Sequence, residues 1–222
     1  MTFSIVIPTY NQADTLAETI RSVLDQTRKV DEVIVVIDGS IDGSVSIAKN
    51  YPVKVVEQVN KGLSSARNTG IMNSTSDWIL FLDSDDILKT NCLERMEQVI
   101  NENPEADIVA PSFKEFGIRD TEIILMENPT LEQFKVNNMI PYFSAIRRFA
   151  LLEVGGYSSR MIYGWEDWHL WFDLLNRGKK LVTIPEVLVM YRTKRYSMIN
   201  SANAHGFELG QQIRKDFPNI FQ

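Results

Sequence analysis

The run Trp78-Ile79-Leu80-Phe81-Leu82-Asp83-Ser84-Asp85-Asp86 passes from five apolar residues to three carboxylates in its last four positions. An apolar run of strand length that breaks so abruptly predicts a buried strand delivering acid at its carboxyl end. In an extended chain side chains alternate with period two, which puts Asp83 and Asp85 on one side and turns Ser84 away. Two convergent carboxylates suit a hard divalent cation such as Mg2+ or Mn2+, which takes oxygen ligands and combines one or two carboxylates with water and phosphate oxygens. A nucleoside diphosphate is the natural third party. The competing reading is that these acids cap the next helix, and for Asp86 alone capping is the expectation. A second acidic pair, Glu166-Asp167, follows Gly164-Trp165 at the start of a helical pattern, a position acidic side chains also take for purely structural reasons.

The elements that must position these acids alternate in type. Phe3 to Ile7 is a short apolar run closed by Pro8, which cannot donate to a ladder. Helical spacing of Leu16, Ile20, Val23 and Leu24 marks a helix over Asp14 to Gln26. A strand at Glu32 to Ile37, a helix from Ser44 to Ala48, a strand at Val53 to Glu57 and a helix from Ser64 to Met72 lead to the strand at Trp78. This rhythm predicts an α/β fold: a Rossmann-like mixed sheet, predominantly parallel in its N-terminal half and flanked by helices, with ligands at the strands' carboxyl ends. Three strand ends should converge there, at Pro8-Thr9-Tyr10, Asp38-Gly39-Ser40 and Asp83-Ser84-Asp85.

Thr90 is the expected N-cap of a helix to Asn103, and Asp107 to Ala110 reads as a strand. Periodicity weakens from Pro111 to Asn138, where Asn128-Pro129 and Asn137-Asn138 read as turns. A strand at Ser144 to Arg147 and a helix from Phe149 to Val154 follow, then Gly164-Trp165-Glu166-Asp167 ahead of a helix to about Asn176. Two strands, Lys180 to Ile184 and Val187 to Tyr191, precede a basic loop from Arg192 to Met198. A helix over Ala204 to Phe221 closes the chain.

The 222 residues suffice for one large α/β domain, and 44% hydrophobic content supports a core. The organisation expected is one domain with a nucleotide-binding half (1–110), an irregular half carrying substrate-specific structure (111–200) and a C-terminal helix with its tail (201–222). With 29 acidic against 23 basic residues the net charge is -6, which argues against gripping nucleic acid through its phosphates. The single cysteine, Cys92, leaves no disulfide framework and no thiolate metal cluster. With no basic leader and no apolar run of spanning length, the expectation is a cytoplasmic protein, with peripheral contact at a membrane's inner face left open.

Five stretches together make the sequence recognisable: Ile5 to Asn11 (IVIPTYN), Ile37 to Ser44 (IDGSIDGS), Asn60 to Asn68 (NKGLSSARN), Phe81 to Asp86 (FLDSDD) and Gly164 to Asp167 (GWED). In order and spacing they resemble the family 2 glycosyltransferases, whose nucleotide-sugar-binding fold is called GT-A. The resemblance implies a nucleotide-diphosphate sugar donor, most simply a UDP-sugar, a Mn2+ or Mg2+ cofactor, transfer with inversion, and a glycan or lipid-linked acceptor in surface polysaccharide or glycolipid assembly. It also implies roles. Pro8, Thr9 and Tyr10 border the nucleobase, with Asp38 and Arg67 on the nucleoside; Asp83 and Ser84 lie at the donor, Asp83 reaching the ribose or a metal-bound water; Asp85 is the direct metal ligand; Asp167 is the base that deprotonates the acceptor hydroxyl.

Trp165, lying before its helix, is the candidate for sugar contact, and Glu166 goes with it to the acceptor. Trp168 and Trp171 have core-facing helical spacing. Arg192 and Lys194 could clamp the diphosphate, against the alternative of a solvated charge cluster. The family often has two adjacent acids where this chain has Ile37-Asp38, and an acid where it has His169. His169 sits beyond the base on its helix, and His205 is expected at the surface rather than at a metal. Two other functions fit a nucleotide-binding sheet: a nucleotidyltransferase, though no Gly-rich, basic triphosphate loop follows the first strand, and a non-catalytic nucleotide-sugar-binding protein.

Overall fold

Alternate residues of β1 (Phe3–Thr9) serve two different cores. Phe3, Ile5 and Ile7 join one buried cluster and Val6 the other, as the two-residue period of a strand requires. Every residue of β1 is buried, so the strand lies inside a sheet covered on both faces. The computed structural model describes residues 1–195 and 202–221.

The first half is a run of alternating elements: α1 (Ala13–Leu24), β2 (Glu32–Asp38), α2 (Ser44–Lys49), β3 (Lys54–Gln58), α3 (Leu63–Asn73) and β4 (Trp78–Phe81). Their strands are parallel and stand in the order β3-β2-β1-β4. The chain therefore reverses its direction of travel between β1 and β4, and the crevice opens where a switch of strand order predicts it.

The remaining elements are β5 (Ile87–Leu88), α4 (Cys92–Glu102), β6 (Ile108–Gly117), β7 (Thr121–Ile123), α5 (Leu131–Phe134), β8 (Ala145–Arg147), α6 (Arg148–Val154), α7 (Glu166–Asn176), β9 (Leu181–Thr193) and α8 (Gly206–Asp216). Beyond β4 the sheet continues β8-β6-β9-β5, with β7 on β6. β8 is antiparallel to both β4 and β6, while β6 and β9 are parallel. It follows that β9 delivers its carboxyl end to the same rim as β1 and β4. No helix among the described residues is long and apolar enough to cross a membrane.

Several boundaries differ from the sequence reading. β6 continues through the weakly periodic segment to Gly117 and turns back as β7, because its last residues pair with β9 rather than packing a periodic face. The two strands expected over 180–191 are one. The partner register jumps from Pro111↔Ile184 to Ser112↔Val187, so Pro185 and Glu186 form an irregularity where proline has no N–H to give. Arg192 and Thr193 thus belong to a strand, while residues 196–198 of the expected loop lie outside the described ones. Asn91, not Thr90, precedes α4, and it makes no side-chain cap.

The crossover helix α3 sits on the sheet through Gly70. A Cβ placed there would lie 2.2 Å from Val6 Cγ1 and 2.8 Å from Val6 Cγ2, inside any allowed contact. Ala is worth ~1 kcal/mol more than Gly in a helix interior, but overpacking a closed core costs ~1–3 kcal/mol, and fully buried Val6 leaves no space to give. Gly70→Ala is expected to lower the urea midpoint in the native background and to raise it in a Val6→Ala background. The same sign in both backgrounds would show that this contact does not set the helix-to-sheet distance.

Candidate active site

β4 ends at Phe81, and Asp83 to Asp86 form a turn closed by Asp86 N–H on the Asp83 carbonyl at 3.0 Å. The carboxylates therefore converge by a turn and not by the alternation of an extended strand. Asp83, Ser84 and Asp85 all line one cavity of about 660 Å3. Buried Ser84 is held from behind, its carbonyl accepting Thr15 Oγ1 at 2.8 Å. Asp86 is a different case from its neighbours and caps nothing: it is wholly buried, its Oδ1 accepts Arg192 N–H at 2.7 Å, and its Oδ2 accepts the Tyr142 hydroxyl. Burial, with Asp85 and Asp83 nearby, holds the Asp86 carboxyl well above its ordinary pKa.

Arg67, on α3, is fully buried between two acids. Its Nη2 lies 2.9 Å from Asp83 Oδ1 and its Nη1 2.7 Å from Glu166 Oε1. The guanidinium also stacks over Tyr142 at 4.7 Å and Tyr157 at 5.1 Å. Burial opposes its charge, yet Asp83, Tyr157 and Glu166 outweigh that and raise its pKa well above the ordinary value. The charged end of Arg67 is occupied by protein acids, and Glu166, 6% exposed, is one of them; both residues also line the cavity.

Asp167 opens α7 beside it. Trp165 precedes the helix in the left-handed conformation at φ 60°, after Gly164 at φ 130°, and this sharp entry aims Asp167 into the cavity. Asp167 Oδ2 accepts Asn138 Nδ2 at 2.9 Å, and its Oδ1 accepts Trp168 N–H at 2.8 Å. Burial, reinforced by Glu166, pushes its pKa to about 7, even though Arg67, the Trp168 amide and Asn138 all favour the anion. A carboxylate poised there can take a proton near neutrality. Trp165 lines the same cavity and meets Trp168 edge-on at 4.8 Å; Trp171 is core, as its spacing predicts, but Trp168 also lines the cavity. Asn138 was legible only as part of a turn, because nothing in its spacing announces a partner 29 positions away.

Pro8, Thr9 and Tyr10 also line the cavity, with Tyr10 half exposed. Asp38 lines it too, but its oxygens are taken by Gln58 Nε2 at 2.7 Å and by the amides of Lys61 and Gly62 at 2.9 Å each. It shapes the loop after β3. Gly39 allows that loop to close, since a Cβ there would lie 2.7 Å from Asn60 N.

At the end of β9, Arg192 is engaged on three sides: Nε on the Asp85 carbonyl at 2.7 Å, Nη2 on Glu18 Oε2 at 2.5 Å, and its guanidinium over Phe116 at 4.4 Å. Lys194 Nζ sits 2.7 Å from Asp85 Oδ2 and 3.0 Å from Gln12 Oε1. His169 Nε2 pairs with Asp216 at 3.0 Å, and His205 stacks on Tyr163 and pairs with Glu208, so both histidines have partners away from the acidic turn.

No group of three or more His, Cys, Asp or Glu side chains among the described residues could cage a metal. The donor set nevertheless suits one bound jointly with a ligand: Asp85 and Asp83 offer hard oxygens, diphosphate and water would supply the rest, and Asp85 already holds a cationic side chain.

Residues 4–167 match the sequence model described as Glycosyl transferase family 2. An uncharacterized glycosyltransferase of Haemophilus influenzae is 28% identical over 207 residues, covering 86% of this chain and 76% of the relative. The amylovoran biosynthesis glycosyltransferase AmsE of Erwinia amylovora is 25% identical over 203 residues, covering 86% of this chain and 76% of AmsE. Among solved structures, residues 1–349 of S. aureus TarS in complex with UDP-GlcNAc superpose with a TM-score of 0.79 at 20% identity, over 91% of this chain and 61% of that one. The chain thus spans about three fifths of the TarS structure it matches, and the likeness shows a shared fold, the curled and mostly parallel mixed sheet of the GT-A type.

The raised pKa of Asp167 has a stability consequence. From about pH 4 upward the unfolded carboxyl has lost its proton while the folded one keeps it until about 7, so native stability falls as pH rises through that window and levels off above it. Asp167→Asn removes this penalty. In urea titrations the variant should gain on the native protein between about pH 4 and about pH 7 and keep a constant advantage above. A difference independent of pH would show Asp167 ionising normally.

Proposed function

Because the chain belongs to glycosyl transferase family 2, we propose that it is an inverting, metal-dependent enzyme moving a sugar from a nucleotide-diphosphate donor, a UDP-sugar, to an acceptor hydroxyl. The observation that carries this reading is the convergence of Asp83, Asp85 and Asp167, which come from β4's turn and the start of α7, on one cavity with room for a donor. UDP-GlcNAc binding by the structural neighbour supports the donor class, and the naming of AmsE for amylovoran biosynthesis supports a role in polysaccharide biosynthesis.

In this reading Pro8, Thr9 and Tyr10 border the nucleobase, and the diphosphate lies toward the acidic turn. Asp85, with Asp83, would hold Mn2+ or Mg2+, which when bound supplies positive charge against the departing diphosphate. Trp165 and Trp168 face the transferred sugar or acceptor with apolar ring surface. The acceptor oxygen bonds to the anomeric carbon as the bond from that carbon to the diphosphate oxygen breaks, with inversion. Asp167 takes the hydroxyl proton in the same step, and Asn138 and the Trp168 amide hold its carboxylate in place. Glu166 and Arg67 do not touch the reacting atoms; they fix the start of α7 relative to the donor turn.

Binding and kinetic measurements test this. Thermal shifts with a panel of nucleotide sugars, with and without Mn2+, identify the donor as the ligand that stabilises the fold. With that donor, Asp167→Asn should lower turnover ~100- to 10,000-fold while leaving the shift unchanged, and the acid limb of kcat/KM should lie near 7. Slow donor hydrolysis should require Mn2+ or Mg2+ and disappear in Asp85→Ala. Loss of donor binding in Asp167→Asn equal to the loss of turnover would remove it from the base role, and hydrolysis indifferent to Asp85 would remove the metal.

A further inference from the structure

We propose that Lys194 is the resident counter-ion of Asp85, that an entering divalent cation must take this carboxylate from it, and that the displaced ammonium then serves the donor diphosphate. The inference rests on the reading that Asp85 faces that diphosphate.

The contacts distinguish Lys194 from its neighbour. Arg192 is locked into the protein by the Asp85 carbonyl, Glu18 and the Phe116 ring, and its own amide is bound by Asp86. Those bonds fasten the end of β9 to the turn that carries Asp85. Lys194 begins just past this fastening, and its partners, Asp85 and Gln12, both line the cavity. A third of its side chain is exposed (34%, against 20% for Asp85). A lysine ammonium is a compact charge on a flexible four-carbon stem, so it can leave one anion for another while the backbone stays fixed.

The charges set the sign. With Nζ at 2.7 Å, Asp85 Oδ2 has its cation. A second, doubly charged ion at the same oxygen would be repelled by the first, so in the absence of nucleotide Lys194 opposes metal binding. A diphosphate reverses this, because its several negative oxygens give the ammonium and the metal separate anchors a short distance apart. Lys194 is then a competitor of the metal without nucleotide and its ally with nucleotide. An ordinary surface ion pair has no reason to change sign.

Mn2+ binding, followed by the electron paramagnetic resonance of the free ion, tests this on the native chain, Lys194→Gln and Lys194→Arg, each with and without UDP. Circular dichroism confirms that the variants fold. Without UDP, Lys194→Gln should bind Mn2+ ~10-fold more tightly than the native chain, the size expected when a like charge within ~4–6 Å is removed. With UDP that advantage should vanish or invert, and Lys194→Arg should behave as the native chain in both arms. Asp85→Ala should abolish the binding throughout. Equal, measurable Mn2+ affinity of native chain and Lys194→Gln without UDP overturns the counter-ion role and leaves the metal reading standing. No Mn2+ binding by any variant even with UDP overturns both.

Discussion

A guanidinium with no access to solvent, gripped by two carboxylates from distant parts of the chain, is the contact on which the site depends. Arg67 comes from the helix between β3 and β4, Asp83 from the turn after β4, and Glu166 from the first turn of α7. Taking such charges out of water is costly, and it is repaid only when pairing is close on every side; leaving one such partner alone typically costs ~3–5 kcal/mol. Two tyrosine faces complete the enclosure of the cation. Asp83 and α7 cannot drift apart without exposing or orphaning Arg67, so the acidic turn and the helix bearing Asp167 are held as one body. The Nε of Arg67 and the hydroxyl of Tyr157 remain buried without protein partners, marking this as a place where structure yields something to site geometry.

The acidic side chains around the cavity fall into two kinds by how their oxygens are used. Asp38 takes three donors from its own neighbourhood and shapes a loop. Asp86 takes a backbone amide and a tyrosine hydroxyl and fastens β9 to the turn. Asp85 and Asp167 instead face the cavity, one paired with a lysine on a flexible stem and the other kept near the point of ionisation. Fully bonded carboxylates make scaffolding, because moving them forfeits hydrogen bonds in a place water cannot replace them. Asp85 differs in pairing with a lysine that a ligand could draw away, and Asp167 in staying near the point of ionisation while Asn138 and the Trp168 amide hold it.

The C-terminal helix has a supporting part in this division. Asp216 on α8 accepts His169 from α7, and it also pairs with Arg160 at 2.9 Å and Gln212 at 2.9 Å. The Trp165 ring packs against Gly206 and Gly210, where a Cβ would meet its carbons at 3.5–3.9 Å. α8 therefore braces both the left-handed residue that precedes α7 and the helix itself. Burial holds the His169 pKa below its ordinary value against the pull of Asp216, in keeping with a packing role two positions beyond Asp167.

The amino-acid sequence by itself determined the repeating strand-and-helix plan, the apolar strand that ends in acid, and the five motifs that carry the family. These are local properties: period, turn chemistry and residue order act over a few positions, and the sheet then has one economical way to bury them. Only the tertiary structure decided which acids are free. That Arg67 spends its charge on Glu166, 99 positions away, and that Lys194 lies on Asp85 follow from β9 and α7 arriving at the rim of β1 and β4. The same holds for Asn138 on Asp167, a contact made by an irregular segment without any period to read. Pairings of this kind depend on where strands land in a mixed sheet, and no spacing along the chain encodes the separation of two side chains across it.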